Sequence, residues 1–357
     1  MKVGILTFHR CINYGSFWQS HCLAEGLRAS GHDAVILDHH SRRVDIAEWR
    51  CAFRPTLPHP TPRGDRSGYR RKVRKFFEAF QSLPLSARFP LDAPAAADRC
   101  DVVVVGSDEV WNLSHPWYGN VPLFYGEGFH GRLVSYAASF GSQDAALGLD
   151  PVWAARLREF ETISVRDGSS RAIVEDAIGV RPPLVLDPCL QFPVRVQETQ
   201  DELIRAPYIA VYGHGFSQEF ASQVRRWARR KRLALISIGY RNDWADQQWI
   251  DAGPHEFARF VAGAESVVTN FFHGCVFALA NTKPFACEES RYRSNKLRGL
   301  MATIGGGQRL CIQNAAEASA VAQLGQPLDP AMFDRIEQLR RSSGEYLAGA
   351  LAIQPES

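Results

Sequence analysis

The sequence predicts an α/β protein made of two doubly wound halves facing a cleft. Three observations carry this. Strand-length apolar runs alternate with helical patterns along most of the chain. The runs are continuously apolar, Val102-Val103-Val104-Val105 above all, as parallel strands covered on both faces require. The series pauses once, over the polar residues 192–206, and then resumes. A length of 357 residues suits two domains. The expected bounds are 1–195 for the first domain and 205–330 for the second. Residues 331–357 form a C-terminal helix expected to pack back on the first.

In the first half, Val3–Phe8 reads as a strand, and a loop carries Asn13-Tyr14-Gly15-Ser16. A helix over 16–29 follows, closed by Gly31. Ala34–Leu37 is the second strand. Residues 51–70, rich in Pro, Arg and Gly, read as a surface loop, and Arg70–Phe80 as a basic helix with an aromatic stripe. Strands at Cys100–Val105, Leu133–Ala137, Thr162–Val165 and Leu184–Leu186 each end in polar residues. In an open α/β sheet that edge binds ligands. Helices start at Asp150-Pro151 and near Ser169. In the second half, strands are expected at Tyr208–Tyr212, Leu233–Ile238, Ser266–Thr269 and Pro284–Ala286. Helices are expected at Gln218–Lys231, Pro254–Ala262, Phe272–Ala280, Asn295–Ile304, Asn314–Leu324 and Pro330–Leu351.

Composition excludes several classes. At 45% hydrophobic and 22% charged, the chain is neither disordered nor a disulfide scaffold. No apolar run approaches the ~20 residues of a membrane-spanning helix, and the first apolar run is too short for a signal peptide, so a cytoplasmic protein is expected. The eight cysteines form no Cys-x-x-Cys pair and read as buried thiols. A net charge of +3 argues against nucleic acid as a partner. The cluster Arg225–Arg232 reads as a solvated helix face. Peripheral membrane contact, for instance through Arg63–Lys75, is left open. His9, His39, His40, His214 and His255 show no metal-ligand spacing, and no metal is expected.

Six blocks in order resemble those of the polysaccharide pyruvyl transferase family. They are Asn13-Tyr14-Gly15, Gly106-Ser107-Asp108-Glu109-Val110-Trp111-Asn112, Ser135-Tyr136-Ala137-Ala138-Ser139-Phe140-Gly141, Ser164-Val165-Arg166-Asp167 with Asp187-Pro188, Thr269-Asn270-Phe271-Phe272-His273-Gly274, and Lys283-Pro284-Phe285. The chain departs from the usual pattern at Glu109 (usually Gln), Asn270 (usually Asp) and Phe271 (usually Ser). The resemblance implies two Rossmann-like domains in a GT-B-like fold. It also implies phosphoenolpyruvate as donor substrate, no cofactor, and a pyruvate ketal on a sugar or glycolipid acceptor as product.

That chemistry needs a cationic pocket, an acid for C3 of the enol and a base for the sugar hydroxyl. His273, at a strand-to-helix turn, is the candidate for proton transfer, because an imidazole serves as acid or base near neutral pH. Asp108 is the candidate second base or acceptor-orienting group. Arg166, Gly274, Arg291, Arg293 and Lys296 are expected on the donor, with the backbone N–H groups of Gly274 and Cys275 facing the phosphate. Asn13 and Tyr14 are expected on the acceptor side, and Trp111 in the core. Two other readings stand beside this one. One is a GT-B-type glycosyltransferase using a nucleotide sugar, with Glu288-Glu289 on the ribose. The other is a non-catalytic binding member of the family.

Overall fold

The structure, a computed structural model, describes residues 1–56, 59–129, 131–194, 206–289, 294–311 and 319–352. The chain divides into two compact units. One is Met1–Glu48, Ser82–Pro193 and Ile336–Ser357; the other is Trp49–Gln81 and Val194–Arg335.

The first unit opens with β1 (Lys2–Leu6), α1 (Tyr14–Ala29) and β2 (Asp33–Ile36). Asn13 starts α1 by accepting hydrogen bonds from the Gly15 and Ser16 N–H groups. The chain then runs through α2 (Arg42–Phe53) and α3 (Arg66–Phe80). It returns with β3 (Val102–Val105), β4 (Arg132–Ser135), α4 (Pro151–Leu157), α5 (Gly168–Ile178) and the short α6 (Pro188–Gln191). The sheet order is β2-β1-β3-β4, all parallel. The stretches expected as strands at Thr162–Val165 and Leu184–Leu186 continue it as single parallel bridges, Val134 to Thr162, Ala138 to Val165, and Val165 to Leu184. The four valines of β3 are buried, in line with their unbroken apolar run.

The second unit holds β5 (Tyr208–Tyr212), α7 (Gln218–Lys231), β6 (Ala234–Ile238), β7 (Gln247–Trp249), α8 (Pro254–Gly263), β8 (Ser266–Thr269), α9 (Phe272–Ala280), β9 (Phe285–Glu288), α10 (Ser294–Ile304) and β10 (Leu310–Cys311). Its parallel sheet runs β10-β9-β8-β5-β6-β7. The edge strand β7 is polar and carries no apolar run, so hydrophobic patterning passes over it. Of the helix expected over 314–324, Ser319–Ala322 is helical, and 312–318 lie outside the described residues.

Two segments lie apart from their sequence neighbours. Trp49–Gln81, which the sequence groups with the first half, belongs to the second unit. It is also more helical than a Pro/Gly-rich loop. α2 runs to Phe53, and α3 starts at Arg66 after a 3-10 turn at Arg63–Asp65. Charge fixes its position. Arg71 pairs with Asp251, Lys75 with Glu256 and Asp65 with Arg241, while the buried Lys72 donates to the Gly239 carbonyl. The second segment is the C-terminal part of the last helix, α11 (Pro330–Ala350), which joins the first unit from Ile336 on. There Ser343 accepts from the Leu186 N–H, Tyr346 donates to the Ser135 carbonyl, and Arg132 donates to the carbonyls of Ala350 and Ala352.

Among the described residues, no helix is long and apolar enough to cross a membrane. The thiols and Trp111 follow the sequence reading: seven of the eight cysteines are buried or half-buried, and the Trp111 ring is buried with its N–H on the Phe124 carbonyl.

Helix α1 packs closely on α6, and Gly26 permits it, since a Cβ there would overlap the Phe192 ring. Gly26→Ala is expected to cost ~1–3 kcal/mol, measured by urea unfolding. Wild-type stability would show that the contact yields without cost.

Candidate functional site

The carboxyl edge of the first unit's sheet carries a buried ion cluster. Arg166 follows the stretch bridged to β4. Its Nη2 lies 3.2 Å from Asp108 Oδ1 and its Nη1 lies 3.1 Å from Asp187 Oδ2. The Arg166 and Asp187 side chains are each 2% exposed and that of Asp108 is 12% exposed. Ser16, in the first turn of α1, donates to Asp108 Oδ2 at 2.8 Å. Asp108 itself sits at φ 74° after Gly106, where a Cβ would overlap the Tyr136 carbonyl. Burial opposes charge on Arg166, but the carboxylates of Asp108, Asp187 and Asp167 outweigh it, so the guanidinium pKa is raised. The charge is therefore fixed in the resting protein.

Arg166 thus has two carboxylate partners before any substrate arrives, and neither is its neighbour Asp167. That residue caps α5, accepting from the Ser170 N–H and from Ser139. Asp187 also caps α6 through the Cys189 N–H. On the expected acceptor side, Asn13 is exposed, with its Oδ1 occupied by the α1 cap, while Tyr14 is 1% exposed and packs inside the unit. Ser16 and Asp187 were not singled out from sequence. The Asp-Pro and Tyr-Gly-Ser blocks that contain them were the available signals.

The carboxyl edge of the second unit's sheet carries the other block. Strand β8 ends at Thr269, whose Oγ1 donates to the Tyr212 carbonyl and accepts from the Phe271 N–H. α9 begins at Phe272, which puts His273 in its first turn, half-buried. The N–H groups of Gly274 and Cys275, expected to face a phosphate, both point to the Phe271 carbonyl, because they close the first turn of α9. Gly274 has a packing reason of its own. A Cβ there would overlap Thr269 Oγ1, so the glycine lets α9 approach β8.

Asn270 has a physical reason for replacing an acid. Its Nδ2 donates to the His214 carbonyl at 2.8 Å, a bond that a carboxylate cannot make. The Phe271 ring meets His214 and Tyr240, with centroids 5.3 and 5.4 Å away. Glu288 and Glu289 are engaged by protein groups, the first by Ser217 N–H and Oγ, the second by Arg298. Burial raises the Glu288 pKa. Lys296 lies half-buried on α10, and Arg291 and Arg293 lie outside the described residues.

Two of the six sequence blocks thus meet in one place, Gly106–Asn112 through Asp108, and Ser164–Asp167 with Asp187-Pro188 through Arg166 and Asp187. The family model described as polysaccharide pyruvyl transferase matches residues 13–290, a span that holds both. The chain belongs to this family. No curated protein sequence matches this pyruvyl transferase family member.

Among solved structures, the chain is similar to UDP-GlcNAc 2-epimerase from Methanocaldococcus jannaschii. The TM-score is 0.51 and the identity 12%, over 98% of this chain and 100% of that one. It is also similar to the UDP-GlcNAc 2-epimerase from Neisseria meningitidis (TM-score 0.49, 8% identity, 97% and 100% covered). E. coli heptosyltransferase WaaC gives a TM-score of 0.42 at 13% identity, with 96% and 99% covered. The first likeness shows the fold, an α/β architecture of Rossmann-like parallel sheets in the GT-B-like class.

The loop that leads into Asn13 rests on buried charge. His9 Nε2 lies 3.0 Å from Asp38 Oδ1, and Arg10 grips the same carboxylate at 2.6 and 2.7 Å. Despite its burial, Asp38 is held well below the usual carboxylate range by Arg10 and His9. Glu48 accepts the Ile12 N–H at 2.6 Å, and burial pushes its pKa up to about 7. The folded protein therefore keeps the Glu48 proton to about pH 7, and the unfolded chain only to about 4.5. Between these values the folded state binds more protons, so this group makes stability fall as pH rises. Glu48→Gln is expected to remove roughly 3 kcal/mol of that fall, measured by urea unfolding at several pH values. Parallel pH curves for variant and wild type would contradict this.

Proposed function

We propose that this chain transfers the pyruvyl group of phosphoenolpyruvate to two hydroxyls of one sugar in a glycan or glycolipid precursor. The product is a pyruvate ketal, and phosphate is released. The observation that carries the reading is the convergence of two family blocks on the Arg166–Asp108–Asp187 cluster. Structural residues alone rarely concentrate three buried charges at a ligand edge.

The first sugar hydroxyl adds to C2 of the enol as C3 gains a proton. The C2–O bond to phosphate then breaks, and the second hydroxyl adds to the oxocarbenium carbon and gives its proton to the departing phosphate. His273 supplies the proton to C3. Asp108, oriented by Arg166 and Ser16, accepts the proton of the first hydroxyl. Arg166 is a positioning residue in this scheme, since its guanidinium is already engaged. Lys296, with Arg291 and Arg293, matches the donor's carboxylate and phosphate. Gly274 supports His273 by letting α9 sit close on β8, and the Asn13-Tyr14 segment serves the acceptor side. Cationic side chains suffice for the donor's charge, so the scheme needs no cofactor.

The nucleotide-sugar reading has less support, because both carboxylates of Glu288-Glu289 already have protein partners. The test mixes the protein with phosphoenolpyruvate and a panel of sugar acceptors and follows phosphate. Acceptor-dependent release is expected, with His273→Ala and Asp108→Asn each at least ~100-fold slower and still folded. Wild-type turnover in His273→Ala removes it from the chemistry. Thermal stabilisation by a nucleotide sugar, with none by phosphoenolpyruvate, contradicts the donor.

A further inference from the structure

Six cations crowd the C-terminal half of α7. They are Arg225, Arg226, Arg229, Arg230 and Lys231, followed by Arg232 at the cap. All six are exposed. The i, i+4 pairs Arg225/Arg229 and Arg226/Arg230 put four guanidinium groups on one solvent face. The opposite face, formed by Phe220, Val224, Trp227 and Ala228, is sunk in the core of the second unit. The helix's one acid, Glu219, accepts from Gln223 a turn or more away. Among the described residues, no carboxylate lies within ion-pair distance of any of the six.

The other basic stretch flagged by sequence behaves differently. On α3, Arg71 pairs with Asp251, Arg74 with Glu78 and Lys75 with Glu256, and Lys72 is buried. Three of its cations are thus paired and a fourth is buried. Among the described residues, the α7 cations have no such partners. The helix dipole favours cations in the last turn, but that effect dies within the turn and does not account for Arg225 and Arg226.

We propose that the exposed face of α7 docks on an anionic lipid bilayer. The array is broad and solvated, with no buried cation to shape a pocket for a single phosphate. Its aromatic residues, Phe220 and Trp227, face the core, so no ring on the exposed face stacks a nucleobase. The net charge of the chain is only +3, so the attraction is local to this face. Four to eight basic side chains on an amphipathic helix match the negative headgroup surface. Because the apolar face is committed to the core, α7 lies on the headgroups without inserting. The inference does not depend on the pyruvyl-transfer reading.

The test is flotation of the full chain with vesicles of phosphatidylcholine alone, or with about 30 mol% phosphatidylglycerol. One variant carries Arg225→Gln, Arg226→Gln, Arg229→Gln and Arg230→Gln. A control loses the same four charges at the exposed Arg50, Arg54, Arg99 and Arg341, so both fall from +3 to −1. Circular dichroism melting confirms that both are folded. Wild type is expected to bind only the anionic vesicles. The α7 variant should partition at least ~10-fold more weakly, and the control should stay within about twofold of wild type. Absence of wild-type binding, or an α7 variant that binds like wild type, overturns the proposal. So does an α7-dependent affinity for an oligo-dT strand that exceeds the affinity for the vesicles, which would assign the face to nucleic acid.

Discussion

The first unit's ligand edge depends on one buried arrangement, a guanidinium held between two carboxylates. Removing an ion from water costs several kcal/mol, and only a close, hydrogen-bonded partner offsets it. Arg166 meets that condition through Asp108 and Asp187 together. Each carboxylate also takes bonds from elsewhere, Asp108 from Ser16 and Asp187 from the start of α6. The cluster therefore ties together the loop after β3, the stretch bridged to β4, the first turn of α1 and the α6 cap.

Much of the fold was legible because its elements are local. The β-branched run Ser266–Thr269 and the helix Phe272–Ala280 have the bounds that their patterns predict. Gly179 closes α5 in the left-handed conformation, as a helix-terminating glycine should. Other features depend on distant partners and left little local trace. Arg166 sits beside Asp167, yet its partners are 21 and 58 residues away, because Asp167 is claimed by the α5 cap. Trp49–Gln81 reads as part of the first half until its charges find Asp251, Glu256 and Arg241.

The site was legible in type more than in detail. Motif blocks pointed to Asp108, Arg166 and His273, and all three lie at carboxyl edges of their sheets. What a motif could not supply was hydrogen-bond bookkeeping. The Gly274 and Cys275 amides are consumed by the first turn of α9, and Tyr14 is consumed by packing. The departure at Asn270 likewise makes sense only with the His214 carbonyl opposite its amide. Sequence substitutions at such a site answer to neighbours that only the fold supplies.

Pyruvyl transfer moves carbon away from an enol phosphate, so the fate of the bridging oxygen tests it most directly. Phosphoenolpyruvate labelled with oxygen-18 between C2 and phosphorus is turned over with an accepted sugar, and the phosphate is read by 31P NMR. The label is expected to leave with phosphate, because the C2–O bond breaks. Label retained on the carbon skeleton would mean that the P–O bond breaks, and pyruvyl transfer at this site would be wrong.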